Sequence, residues 1–149
     1  KETFREGEVV SLHVTTSNVS SQPVGTVMLR VGLPGGIEVN VDHLKEVIKA
    51  SEDVDHYEIS GREIRLYLRG LQTGASCEIA FDCLCALPGV YTGLPSEAYP
   101  YYHSEAVAWA APLKATIEVE DDYNVLSLPS VVPVVEDDCA LEGFELLVS

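Results

Sequence analysis

Four histidines, four cysteines and one lysine pair are the residues of this 149-residue chain whose types could do chemistry. No two histidines have the spacing of a metal site, and no two cysteines have the C-x-x-C spacing of a zinc site. Asp42-His43 and Asp55-His56 are adjacent pairs, and adjacent residues of a strand point to opposite faces. The sequence contains no nucleophile motif and no phosphate-binding glycine loop. We therefore expect a protein that is not an enzyme and has no cofactor or metal.

Lys45 and Lys49 are two of only four lysines in a chain with a formal charge of −15. Residues four apart project from the same side of a helix. The pair is therefore either part of a solvated helix face or a binding site for an acidic partner.

The cysteines do not pair in an obvious way. Cys83 and Cys85 are two residues apart, so on a strand they share a face at about 7 Å, too far for a disulfide of normal geometry. They are expected either to pair with Cys77 and Cys139 or to remain buried thiols.

Asn18-Val19-Ser20 is an N-glycosylation sequon. Such a sequon predicts an exposed loop and a glycan on Asn18 if the chain is secreted. It favours an extracellular setting.

The acidic charge excludes some classes of partner. A chain of this charge is repelled by nucleic acids and by anionic lipid. No apolar run reaches the ~20 residues of a membrane span. Residues 115–149 contain nine acids and no base, which indicates either a solvated tail or linker, or a docking tail.

The periodicity that must position these residues is mostly that of strands. Turn residues separate four segments in which apolar residues alternate with others: Val10/Leu12/Val14, Val27/Leu29/Val31/Leu33, Ile64/Leu66/Leu68 and Ile79/Phe81/Cys83/Cys85. One other segment has helical periodicity, with Val41, Leu44, Val47 and Ile48 on one stripe. We therefore predict a mainly β protein, an antiparallel β-sandwich with one short α-helix at about residues 41–51.

The pattern weakens after about residue 120, where prolines oppose regular pairing. We predict a sandwich domain at 1–120 and an acidic extension at 121–149, which docks as an edge strand or continues to another domain. Aromatic residues cluster just before this boundary: Tyr99, Tyr101, Tyr102 and Trp109. They are expected to form a protein interface, to bind a glycan, or to pack on the sandwich.

Residues 25–71, GTVMLRVGLPGGIEVNVDHLKEVIKASEDVDHYEISGREIRLYLRGL, and the later AYPYYHSEAVA together resemble a known domain. They are similar to the C-terminal receptor-binding domain of the alpha-2-macroglobulin and complement family, over about residues 8 to 110. The resemblance implies a secreted β-sandwich within a very large protein that traps proteases or tags surfaces. It also implies binding to a clearance receptor of the low-density-lipoprotein receptor family through two helix lysines, which Lys45 and Lys49 match.

Two functions are compatible with these observations. The first is a non-catalytic interaction module that binds a receptor, or neighbouring domains of the same protein, through Lys45, Lys49, Tyr101 and Tyr102. The alternative is a structural module of an extracellular filament, adhesin or surface coat, which assembles through edge strands and the acidic tail.

Overall fold

The computed structural model describes residues 3–102, 107–119 and 144–149. These residues form the following elements in chain order: β1 Thr3–Arg5, β2 Val9–Asn18, β3 Val27–Gly32, β4 Ile37–Val39, α1 Val41–Ala50, β5 Val54–Ser60, β6 Glu63–Leu68, β7 Ser76–Cys85, β8 Gly89–Thr92, β9 Ser96–Pro100, β10 Ala108–Ala110, β11 Lys114–Glu118 and β12 Phe144–Val148.

Two antiparallel sheets enclose the core. The five-stranded sheet has the order β10-β9-β3-β6-β5, and the four-stranded sheet has the order β12-β2-β7-β4. Buried residues from both sheets belong to one hydrophobic cluster. The predicted mainly β fold with one helix is confirmed. A third sheet, β1-β11-β8, adds the parallel pair of β1 and β11, which the alternation did not predict.

The buried and exposed sides of β6 and β7 follow the alternation of apolar with other residues in the sequence. On β7, Cys77, Ile79, Phe81 and Cys83 are buried in the core, while the residues between them are exposed or partly exposed. Strand β6 follows the same rule. β6 and β7 thus place their apolar residues inside, because successive side chains of a strand point to opposite faces.

The helix lies where its periodicity predicted it. α1 spans Val41–Ala50, and Asn40 caps its first turn by accepting a hydrogen bond from the His43 N–H at 3.1 Å. A side-chain acceptor at this position satisfies one of the backbone donors that a helix start leaves open. α1 has ten residues, and no helix in the described part of the chain is long and apolar enough to cross a membrane.

The apolar stripe of α1 faces the core. Leu44 is fully buried, and Val47 and Ile48 pack against the core from its margin. Val41, which the periodicity placed on the same stripe, is 39% exposed. The side of α1 opposite Leu44 is therefore left to solvent.

The last strand belongs to the sandwich. β12 pairs with β2 as an edge of the four-stranded sheet, and Leu146 joins the hydrophobic core. The sandwich therefore includes part of the segment that the sequence assigned to an extension after residue 120. Residues 120–143 lie outside the described residues.

Candidate functional site

A contact with β7 sets the orientation of α1. The N–H of Asp82 donates to Nδ1 of His43 at 3.0 Å, and the N–H of Asn40 donates to the carbonyl of Asp82 at 2.9 Å. The ring of His43 thus contacts the backbone of β7 directly. Two hydrogen bonds to one residue thus fix the start of the helix on the sheet.

Lys45 and Lys49 lie on the outward side of the fixed helix. Both side chains are exposed, whereas the neighbouring Leu44 is fully buried. The ion pairs among the described residues include none at either lysine. Glu46 lies three residues before Lys49, a spacing that allows an ion pair on a helix, but no such pair forms between these two residues. Both ammonium groups are therefore available to a partner.

Acidic residues surround this lysine pair. Asp42 lies in the first turn of α1 and Lys49 in the last, an arrangement that the helix dipole favours at both ends. Glu46 and Glu52 are also exposed. The surface is therefore mixed in charge, and Lys45 and Lys49 are its positive positions.

Tyr101 and Tyr102 project from the turn that follows β9. They are 51% and 81% exposed, and their rings meet edge to face, with centroids 5.1 Å apart and planes at 84°. The N–H of Tyr101 donates to the carbonyl of Thr26 at 2.8 Å. The backbone of this turn is therefore tied to the start of β3 while the two rings remain accessible.

The end of α1 and the tyrosine pair lie at the same end of the sandwich. Val54, which follows the helix, is level with Leu68, Leu68 with Val27, and Val27 with Pro100, across four neighbouring strands. Three strand spacings amount to roughly 15 Å. The loop after α1 and the turn after β9 are therefore at one end of the five-stranded sheet.

The other two residues of the aromatic cluster noted in the sequence, Tyr99 and Trp109, lie elsewhere. Tyr99 and Trp109 are on the outer face of the five-stranded sheet, where Trp109 is opposite Glu97 and the Tyr99 hydroxyl donates to the Met28 sulfur at 2.8 Å. Burial raises the pKa of Tyr99, to which the charge of Glu97 adds. The four aromatic residues therefore do not form one platform.

The same outer face carries a charge network that the sequence did not reveal. Arg30 donates to Glu97 at 2.7 Å and to Glu63 at 3.0 Å, and Nη2 of Arg65 lies 2.7 Å from Glu63. Burial works against ionisation of Glu63, but hydrogen bonds from Arg65 and Arg30 outweigh it, so the pKa of Glu63 is lowered. Alternation placed both arginines on one face, but only the register of the strands identifies their partners.

Asn18 corrects an expectation. The sequon predicted an exposed loop, but Asn18 ends β2 and is fully buried. Its Nδ2 donates to the carbonyls of Gln22 at 2.9 Å and Leu71 at 3.0 Å, and its Oδ1 accepts from the Ser20 hydroxyl at 2.6 Å. A glycan on Nδ2 would displace these bonds. In this fold the amide stabilises a turn and is not presented to solvent.

The described cysteines line the inner side of β7. Cys77, Cys83 and Cys85 are buried, and no disulfide joins Cys77 or Cys83 within the described ranges. Burial raises the pKa of both Cys77 and Cys83 to about 12, so neither forms a reactive thiolate near neutral pH. Cys139 lies outside the described residues. No group of three or more potential metal ligands occurs in the described ranges.

Comparison with known proteins places this fold in a family. Residues 1–105 match the family described as the bacterial alpha-2-macroglobulin MG10 domain, whereas no curated protein matches the chain. Similar solved structures include two of Salmonella alpha-2-macroglobulin, a Tyr-to-Gly mutant and a form reacted with methylamine. Both are 18% identical, with TM-scores of 0.56 and 0.55.

Each structural alignment covers 80% of this chain but only 8% of the Salmonella protein, so the likeness concerns the fold of one small part of a large molecule. The resemblance to the alpha-2-macroglobulin family is confirmed, while the finer assignment to a receptor-binding domain stays a prediction. Because the family match spans more than half of the sequence, the chain belongs to the bacterial alpha-2-macroglobulin MG10 domain family.

Proposed function

We propose that this chain is a non-catalytic protein-interaction domain of a large, secreted or surface-located macroglobulin-like protein. Its α1 helix and the Tyr101–Tyr102 pair bind an acidic protein surface, which belongs to a receptor or to a neighbouring domain of the same protein. The observation that carries the proposal is the exposure of Lys45 and Lys49, without an ion pair among the described residues, on a helix whose opposite side is anchored in the core.

Electrostatics supports an acidic partner. In a chain of charge −15, two projecting lysines are a local exception that another acidic surface can recognise. Charges at the rim of an interface mainly change the association rate and its salt dependence. Binding through this pair should therefore weaken as salt screens it, with a Debye length of about 8 Å at physiological ionic strength.

The tyrosine pair supports an interface as well. Exposed aromatic rings contribute a large apolar area and lose little conformational entropy on binding, and tyrosine is enriched at interface positions that dominate affinity. Tyr101 and Tyr102 already contact each other, so their side chains are partly ordered before a partner binds.

Charge reversal tests the proposal. The probes are a recombinant ligand-binding module of a low-density-lipoprotein-type receptor and the neighbouring domains of the parent protein, and binding is followed by biolayer interferometry. Lys45→Glu with Lys49→Glu should abolish binding to the recognised probe, mainly by lowering the association rate. Lys114→Glu, on β11, makes the same change of charge as either of these two substitutions and should leave binding intact.

Tyr102→Ala supplies an independent arm. Loss of this side chain should lower affinity by about tenfold, which corresponds to ~1.4 kcal/mol, mainly through faster dissociation. If neither probe binds the unmodified chain, or if the lysine double variant binds as tightly as the unmodified chain, the proposal is wrong.

A structural module is the second candidate function, and the edge strands favour it. β5 and β12 are outermost strands of their sheets in the described part of the chain, and edge strands can pair with other chains. Deleting residues 121–149 would not test this function cleanly, because the deletion removes β12 from the sandwich. Variants of one edge are needed.

A further inference from the structure

β5 has the sequence and the position of a strand that can pair with another chain. It is an outermost strand of the five-stranded sheet, and no strand among residues 3–102, 107–119 and 144–149 pairs with its outer side. From Asp55 to Ser60 its residues are exposed, apart from Tyr57, which is partly buried. Ile59 is 41% exposed.

The hairpin between β5 and β6 determines which backbone groups point outward. Ser60 pairs with Glu63 across a two-residue turn. In such a hairpin the closing pair is hydrogen-bonded and the bonded pairs then alternate. Ser60, Glu58 and His56 therefore direct their backbone groups toward β6. The N–H and C=O of Tyr57 and Ile59 point away from the sheet, where a further strand can bind them.

Among antiparallel pairings with a copy of itself centred on His56, Tyr57 or Glu58, the side chains of β5 favour the one centred on Tyr57. A two-fold axis at Tyr57 joins outward backbone groups and places His56 of each copy opposite Glu58 of the other. An axis at Glu58 would place the Glu58 carboxylates of the two copies face to face. An axis at His56 would place the two imidazoles face to face and would put Glu58 of each copy opposite the buried Val54 of the other. The ring N–H of a histidine can donate to a carboxylate that faces it, whereas like charges that face each other destabilise a cross-strand pair.

We propose that β5 is a self-association surface, where two copies of this chain pair antiparallel about a two-fold axis at Tyr57. The five-stranded sheets of the two copies then form one continuous sheet. Each interface is isologous, so the contact between His56 and Glu58 occurs twice. This surface is separate from the lysine pair of α1 and does not rest on the function proposed for it.

The same features make this association weak and selective. A β-bulge interrupts β5 between Val54 and His56, so regular pairing is short, and the formal charge of −15 opposes the approach of two copies. A contact this small implies a Kd on the order of 0.1–1 mM. Charged side chains on an edge strand also prevent indiscriminate pairing.

Sedimentation velocity of the whole chain, from about 10 μM to about 1 mM at physiological salt, tests the proposal. The unmodified chain should show a rise in weight-average sedimentation coefficient toward that of a dimer. His56→Glu and Glu58→Lys should each remove this rise, because the first places two carboxylates face to face at both contacts and the second removes the carboxylate that accepts from His56. Mixed together, the two variants should associate again, since one contact then joins a carboxylate to an ammonium group and the other restores the pair of His56 with Glu58.

Two controls separate this result from a general effect of charge or fold. Glu78→Lys on β7 and His13→Glu on β2 make the same changes at exposed positions of the four-stranded sheet and should keep the dimer.

Ile59→Pro should abolish association, because proline removes an outward N–H while the bonds from β5 to β6 remain. Circular dichroism confirms that each variant is folded.

The outcomes decide the question. A sedimentation coefficient that does not rise at the highest concentration overturns the proposal. So does a dimer that survives both single charge reversals, or a mixture of the two variants that remains monomeric. Restored association in the mixture, with both single variants monomeric, supports it.

Discussion

Arg30 and Glu97 face each other in the register of β3 and β9, and their side chains form an ion pair of 2.7 Å. The side chains of Glu97 and of Glu63, the second partner of Arg30, are only 12% and 13% exposed. Arg30 thus neutralises two shielded carboxylates on the outer face of the sheet. Through these two ion pairs, Arg30 on β3 links β9, which carries Glu97, to β6, which carries Glu63.

Arg30→Ala is therefore expected to destabilise the domain. Removal of the guanidinium leaves two shielded carboxylates without this partner, and such a loss costs about 1–3 kcal/mol. Urea unfolding measures the change. Arg69→Ala is the control, because its pair with Asp55 is exposed on both sides and should contribute at most about 0.5 kcal/mol. Equal losses in the two variants would contradict the prediction.

Glu63 should give the domain a specific acid sensitivity. Its pKa lies below the ordinary value of 4.5, so the folded state holds this proton less tightly than the unfolded state. The resulting stability is fully present above pH 4.5 and is lost as the pH falls through the folded-state value. Glu63→Gln should lower the free energy of unfolding near neutral pH and flatten its acid dependence.

Urea unfolding at a series of pH values measures this effect. The curves of Glu63→Gln and the unmodified chain should converge at the acid end. Glu78→Gln, an exposed change on β7, should run parallel to the unmodified chain. A gap between the unmodified chain and Glu63→Gln that stays constant with pH would assign the role of Glu63 to packing rather than charge.

Asn18 should behave as a core residue. Asn18→Ala removes the amide that donates to the carbonyls of Leu71 and Gln22, so we expect a loss of about 1–3 kcal/mol in thermal or urea unfolding. Ser20→Ala removes only the hydroxyl that donates to Asn18 and should cost less. Mass spectrometry of the folded chain after incubation with an oligosaccharyltransferase should show no glycan on Asn18, and efficient modification would contradict its burial.

The buried thiols should be inert until the domain unfolds. Cys77 and Cys83 are buried, with a pKa of about 12 each, so alkylation at pH 8 should leave them unmodified for hours while urea exposes them within minutes. Peptide mapping assigns the labelled sites. Fast labelling of either residue in the native chain would show that β7 opens readily.

Much of the fold could be predicted from sequence, because the alternation of apolar with other residues in β6 and β7 indicates which side of each strand faces solvent. The helix could be predicted equally well, because Leu44, Val47 and Ile48 recur at helical spacing and Asn40 can cap the first turn. Such periodicities are local, so one sequence suffices to predict them.

What could not be predicted depends on pairing between distant segments. The partners of Arg30 follow from the register of β3 with β6 and β9, and no local pattern specifies a register. Asn18 looked like a loop residue because its sequon is a local motif, whereas its burial comes from hydrogen bonds to residue 71, far along the chain. Whether Lys45 and Lys49 bind a partner stays a prediction.

The pairing of β12 with β2 has a consequence for how the domain forms. Val14 lies opposite Val148, and Leu146 belongs to the core, so the four-stranded sheet can be completed only after residue 148 has left the ribosome. Until then the edge of β2 that pairs with β12 is without its partner strand. Contacts between residues so far apart in the sequence form slowly. A nascent chain of this kind is vulnerable to aggregation, so we expect a chaperone that shields open strands to raise its folding yield.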